Sequence, residues 1–162
     1  MILGHARHGK DTVAEILRDN HGFTFASSSL WAAEQAVRPA LAAKGIVYAS
    51  LEECYADRVN HRKFWYDTIS EYNGYGASRL AEEILVEHDV YVGMRSLREY
   101  HASIKLFDYV LWVDASERGV PLEPASSMDI PFDPSAMLKV DNNSDLYGLE
   151  EEISALVDDC GW

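Results

Sequence analysis

Two glycines five residues apart, Gly4 and Gly9, separate a short apolar run, Met1 to Leu3, from a stretch whose apolar residues Val13, Ile16 and Leu17 recur at helical spacing. A strand that passes through such a loop into a helix aims several backbone amides at one point, beside the positive end of the helix. Lys10 follows the second glycine and Thr12 comes two places later. The strict phosphate-loop pattern puts Ser or Thr directly after the Lys, to hold magnesium; here Asp11 stands in that position. Gly4, His5, Ala6, Arg7, His8, Gly9, Lys10, Asp11 and Thr12 are therefore the expected cradle for the phosphates of ATP, with Asp11 and Thr12 the candidate ligands of Mg2+. Asp11 is equally explained as a first-turn acid that favours the helix dipole. His5 and His8 lie in the loop, but no acid or cysteine is spaced to make them metal ligands.

The rest of the chain alternates strand and helix patterns. Phe23 to Ala26 reads as a second strand, and a helix follows through Trp31 and Ala36, disturbed at Pro39 and ended by Gly45. Ser50-Leu51-Glu52-Glu53 is a capping box that opens a long helix to about Tyr72. Another helix covers about Ser78 to Glu87, a strand covers Val90 to Gly93, and a second capping box, Ser96 to Glu99, starts a helix to about Leu106. Asp108 to Asp114 contains the strand run Tyr-Val-Leu-Trp-Val, ahead of a proline-rich loop from Ala115 to Pro134. Met137 to Val140 and Leu146 to Val157 follow as strand and helix. This alternation predicts an α/β fold of three layers, with a mostly parallel sheet of about five strands between helices. No repeat or linker divides residues 1–162, which read as a single domain.

Charge narrows the function classes. The 162 residues carry 27 Asp and Glu against 14 Lys and Arg, a net charge of -13 that opposes non-specific attraction to nucleic acid. The imbalance is local: Ser135 to Trp162 holds seven acids and one Lys139, whereas Cys54 to Lys105 holds eight acids and seven bases. A phosphate-bearing ligand is expected at the N-terminal loop and the middle of the chain, with the acidic tail as a solvated helix face. Cys54 and Cys160 cannot make a disulfide framework, and no apolar run approaches the roughly 18 residues of a membrane span. The expectation is a cytoplasmic protein with no membrane partner, its oligomeric state open and a homodimer among the options.

Phosphoryl transfer needs positioning and positive charge more than covalent chemistry, so the candidate catalytic residues beyond Lys10 and Asp11 are cations. Arg95 follows a buried-looking strand, where ligands of open α/β sheets bind. Arg98 lies one helix step on, although the capping box already accounts for that helix start. Arg118 opens the proline-rich loop, which is long enough to be a lid. Arg58 and Arg62 would share one face of a long helix with Trp65 nearby, suited to a phosphate and a base, or would simply be solvated. Ser28 and Ser29 either touch an acceptor or cap the next helix.

The segment Gly-x-x-x-x-Gly-Lys-Asp-Thr resembles the phosphate loop of the deoxynucleoside monophosphate kinases of bacteriophages and their P-loop relatives, in which an Asp commonly follows the Lys. The likeness continues in Tyr91-Val92-Gly93-Met94-Arg95-Ser96-Leu97-Arg98-Glu99, similar to that family's strand beside the acceptor. It extends to Trp112-Val113-Asp114 with Arg118, and to Asn142-Asn143 before the last helix. The resemblance implies acceptor-binding helices over about 46–88 and a lid over about 115–134. It implies transfer from ATP, with magnesium, to a deoxynucleotide acceptor, in the cytoplasm of a host cell if the gene is a phage's. Ala26-Ser27-Ser28-Ser29 and Gly93 stand where relatives often carry an acid, which leaves the acceptor open. There are two further readings. One is phosphorylation of the hydroxymethyl group of 5-hydroxymethyluracil in phage DNA, an activity of relatives of these kinases. The other is a nucleotide-binding module without turnover.

Overall fold

The computed structural model describes residues 1–124 and 127–162; Ala125 and Ser126, inside the expected lid, lie outside the described residues. Strands β1 (Ile2–Leu3), β2 (Phe25–Ser27), β3 (Val90–Val92), β4 (Leu111–Asp114) and β5 (Leu138–Asp141) form one sheet in the order β2-β3-β1-β4-β5. Every pairing is parallel, with Ile2 opposite both Val92 and Leu111. The chain leaves β1 toward one edge and later crosses to the other, so the strand order reverses at β1. A crevice for ligands belongs at the carboxyl end of β1 in such a sheet.

Side chains alternate across the strands and define two faces. Ile2, Val92, Leu111 and Val113 face a cluster with Val13 and Leu17 of α1 (Lys10–His21) and Leu149 and Ile153 of α8 (Leu146–Cys160). Leu3, Tyr91 and Trp112 face the other way, against Leu80 and Ile84 of α6 (Arg79–Glu87) and Tyr100 of α7 (Leu97–Ser103). Met128 and Ile130 bury themselves in this second cluster and moor the long loop before β5 to the sheet.

A third cluster lies among residues 33–37, the segment that follows α2 (Ser28–Ala32), together with α3 (Arg38–Ala43), α4 (Leu51–Ala56) and α5 (Arg62–Asn73). It consists of Ala33, Val37, Leu41, Cys54 and Trp65. Trp65 is 6% exposed, and Trp65→Ala should lower unfolding stability by about 3–5 kcal/mol in a denaturant melt. A loss under 1 kcal/mol would show that this cluster contributes little.

Several local expectations need correction. The helix expected from Ser50 to Tyr72 is two helices, broken through a 3-10 turn (Asp57–Asn60) at His61. Asp57 draws the chain out of the helix: its carboxylate accepts from Tyr48 at 2.6 Å and Asn60 at 2.5 Å, and faces His61 at 3.2 Å. The disturbance expected at Pro39 is borne out, and the chain stays helical through it. A π-helical segment (Ala33–Val37) precedes it, and the wider turn gives the ring space. Neither Ser28 nor Ser29 caps α2, whose N-cap is Ser27 without a side-chain bond. Ser96 is the N-cap of α7 but makes no side-chain capping bond; Asp129 of the long loop accepts from the Leu97 amide at 2.5 Å. No helix among the described residues is long and apolar enough to cross a membrane.

Candidate active site

The loop after β1 is braced from beneath. Gly9 has φ 94, and a side chain there would run into the amide of Asn142, so only glycine fits. That amide donates to the His8 carbonyl at 2.8 Å. His8 is fully buried, and its Nδ1 accepts from the Ala115 amide at 2.9 Å. Burial holds its pKa below the ordinary value, and the accepted bond places the proton of the neutral ring on Nε2. His8 is thus turned into the fold as a strut, and the segments after β4 and β5 fix the loop's shape. Asn142→Ala would leave the His8 carbonyl without this partner. The expected loss is about 1–3 kcal/mol of stability together with weaker nucleotide binding. An unchanged melt and affinity would show that the brace is dispensable.

Above the brace the donors converge. Lys10 begins α1 and its Nζ donates to the His5 carbonyl at 2.7 Å. Burial, reinforced by Arg95, lowers its pKa to about 8, against the opposing pull of Asp11 and Glu123. Glu123, from the described part of the 115–134 loop, lays its Oε2 on the Ala6 amide at 2.6 Å and pairs its Oε1 with Arg95. The Glu123 amide donates to His5 Nδ1 at 3.2 Å. Burial alone would raise the Glu123 carboxyl; Arg95, the Ala6 amide and Lys10 outweigh it and hold the group below its usual range. The cradle therefore already receives an anionic group, which is what phosphate oxygens require of it.

Asp11 and Thr12 occupy the first turn of α1, Asp11 exposed and Thr12 half-buried. Among the described residues no three His, Cys, Asp or Glu side chains gather as a metal site. Magnesium fits this arrangement, because it keeps most of its ligands from phosphates and water. Arg118 NH1 reaches Asn142 Oδ1 at 3.4 Å and so stands beside the same brace.

Arg95 also lines a cavity of about 190 Å3, together with Ser28, Ser29 and Arg98. The sequence singled out these four, and the fold brings them together. It adds residues that the sequence reading missed. Tyr91 is buried in the cavity wall, and Asn73 and Glu99 supply its polar corner. Asn73 Oδ1 accepts from the Leu80 amide at 2.8 Å, which fixes its amide so that Nδ2 donates to Glu99 at 2.9 Å. Burial pushes the Glu99 carboxyl up, against that hydrogen bond. In sequence Glu99 is half of a capping box, and Asn73 falls just past the expected end of the helix at about Tyr72. Only the meeting of α5 with α7 reveals their other use.

Within this cavity Arg98 is spoken for by backbone, donating to the Tyr75 carbonyl at 2.9 Å, and Ser29 meets Tyr55 at 3.0 Å. Gly93 has φ 97 and lies where a Cβ would be 3.5 Å from the Ser28 hydroxyl. The other three acceptor candidates are elsewhere. Arg58 stacks 4.0 Å over the Tyr55 ring in the 3-10 turn, Arg62 is exposed at the start of α5, and Trp65 is in the helical core. The break at His61 removes the shared helix face on which their grouping depended.

The sequence matches no known protein-family profile and no curated protein. The structure is similar to that of a gluconokinase from Sinorhizobium meliloti 1021, with a TM-score of 0.50 and 14% sequence identity over 98% of this chain and 93% of that one. At that identity the likeness speaks for the fold: a P-loop kinase-like α/β fold with a five-stranded parallel sheet.

Proposed function

We propose that the chain transfers the γ-phosphoryl group of ATP to a deoxynucleoside monophosphate held in the cavity beside Arg95. One observation carries this reading: Arg95 belongs at once to the cavity wall and to the phosphate loop, through the carboxylate it shares with the Ala6 amide. A cation on that boundary can neutralise charge on a group passing from one side to the other. Lys10 and the loop amides hold the donor phosphates. Magnesium, when bound, would neutralise phosphate charge, and Asp11 and Thr12 would be its protein ligands. Residues 66 to 80 of the expected acceptor-binding segment supply Tyr66, Asn73 and Leu80 to the cavity, and Asn73 with Glu99 offers a polar edge to a base.

A monophosphate acceptor is already ionised near neutral pH and needs no general base. A second reading, phosphorylation of a hydroxymethyl group on DNA, draws support from Glu99, whose raised pKa suits a base. The net charge of -13 weighs against a polymer acceptor.

The test is ADP release with ATP and magnesium, across deoxynucleoside monophosphates and duplex DNA containing 5-hydroxymethyluracil. Turnover on a monophosphate is expected, with Glu99→Gln changing KM for the acceptor more than kcat. Turnover on the DNA alone, lost in Glu99→Gln, would establish the second reading. ATP binding without ADP release on any acceptor would make the chain a binding module.

A further inference from the structure

The 119–124 segment is mostly exposed, with Leu122 62% accessible, yet the side chain of Glu123 is only 15% accessible because it enters the phosphate loop. A surface ion pair would satisfy Arg95 and leave the rest of the carboxylate in water. Here the second oxygen takes a loop amide, and the backbone of the same residue is tied to His5. An amide, a guanidinium and a nearby ammonium are the donors a phosphoryl group would meet in the same place. Carboxylate and phosphate cannot share them, since both are anions.

We infer that Glu123 is a tethered stand-in for a phosphate, so that ATP enters the loop by exchanging with it. This rests on the phosphate-loop reading above. Exchange has two consequences. The protein discriminates by whether a ligand brings an anion to the Ala6 amide, so adenosine gains no access that Glu123 controls. Displacing Glu123 also frees the Arg95 guanidinium toward the acceptor cavity. An acceptor phosphate that draws Arg95 away loosens Glu123 in return, so donor and acceptor each tighten the other's binding.

Calorimetric titration of ATP, inorganic tripolyphosphate and adenosine into the wild type, Glu123→Gln and Glu123→Ala, without acceptor, tests the exchange. Both anions should bind about tenfold more tightly to the variants, as expected when the stand-in occupies the loop for roughly nine-tenths of the time, and adenosine should not change. Adding a deoxynucleoside monophosphate should tighten ATP binding in the wild type and do so less in Glu123→Gln. Equal or weaker anion binding by the folded variants would overturn the proposal and leave the phosphate loop intact. No binding of either anion to any of the three proteins would overturn the phosphate-loop reading and the exchange with it.

Discussion

Lys10→Ala is expected to lower kcat by about two to three orders of magnitude while the thermal melt stays near that of the wild type. On the proposed reading the ammonium would serve the donor phosphates, and its bond to the His5 carbonyl spans the loop rather than the core. Turnover that survived this change would rule out the phosphate-loop assignment. The pH profile should carry the same signature. Burial and Arg95 bring Lys10 down to about 8, with Asp11 and Glu123 opposing. Below that pH the free protein holds a charged Lys10; above it the charge is lost. The value of kcat/KM for ATP should therefore fall as pH rises through about 8, and this limb should vanish from the residual rate of Lys10→Ala.

Arg95→Ala should reduce kcat by about a thousandfold, the loss seen when a transition-state arginine is removed. Because Arg95 lines the acceptor cavity, KM for the acceptor should rise. ATP affinity should hold, since the change also removes one of the groups that keep Glu123 on the loop. Steady-state kinetics with both substrates varied, beside direct titration of ATP, would check this. A fall in ATP affinity with the acceptor term unmoved would place Arg95 on the donor side.

Much of the fold was legible because its signals are local. The Gly4–Thr12 loop, the β-branched run at Val90 and the Tyr-Val-Leu-Trp-Val run each declare their own conformation, and alternation then implies a parallel sheet. The failures are places where a distant residue outbids a local one. Ser96 and Glu99 have the spacing of a capping box, but Asp129 takes the helix amide and Asn73 takes Glu99. The long helix fails at His61 because Tyr48 and Asn60 give Asp57 better partners than a continuing helix does. The same asymmetry governs the site. Arg95 and the serines could be nominated from strand ends, whereas Asn73 and Glu123 acquire their roles only through contacts 26 and 117 residues away in sequence.

Gly93 bears on which side chains the wall of the cavity beside Arg95 can carry. Its main chain turns through φ 97, a region that costs any other residue about 1–3 kcal/mol. Its amide is held by the Ile2 carbonyl at 3.0 Å, and Arg95 follows two residues later. An acid placed at this position would arrive on a backbone shaped against it. Accommodating it would also require re-turning the chain after β3, and so moving Arg95. The main chain at the end of β3, rather than any one side chain, therefore keeps an acid off this wall of the cavity.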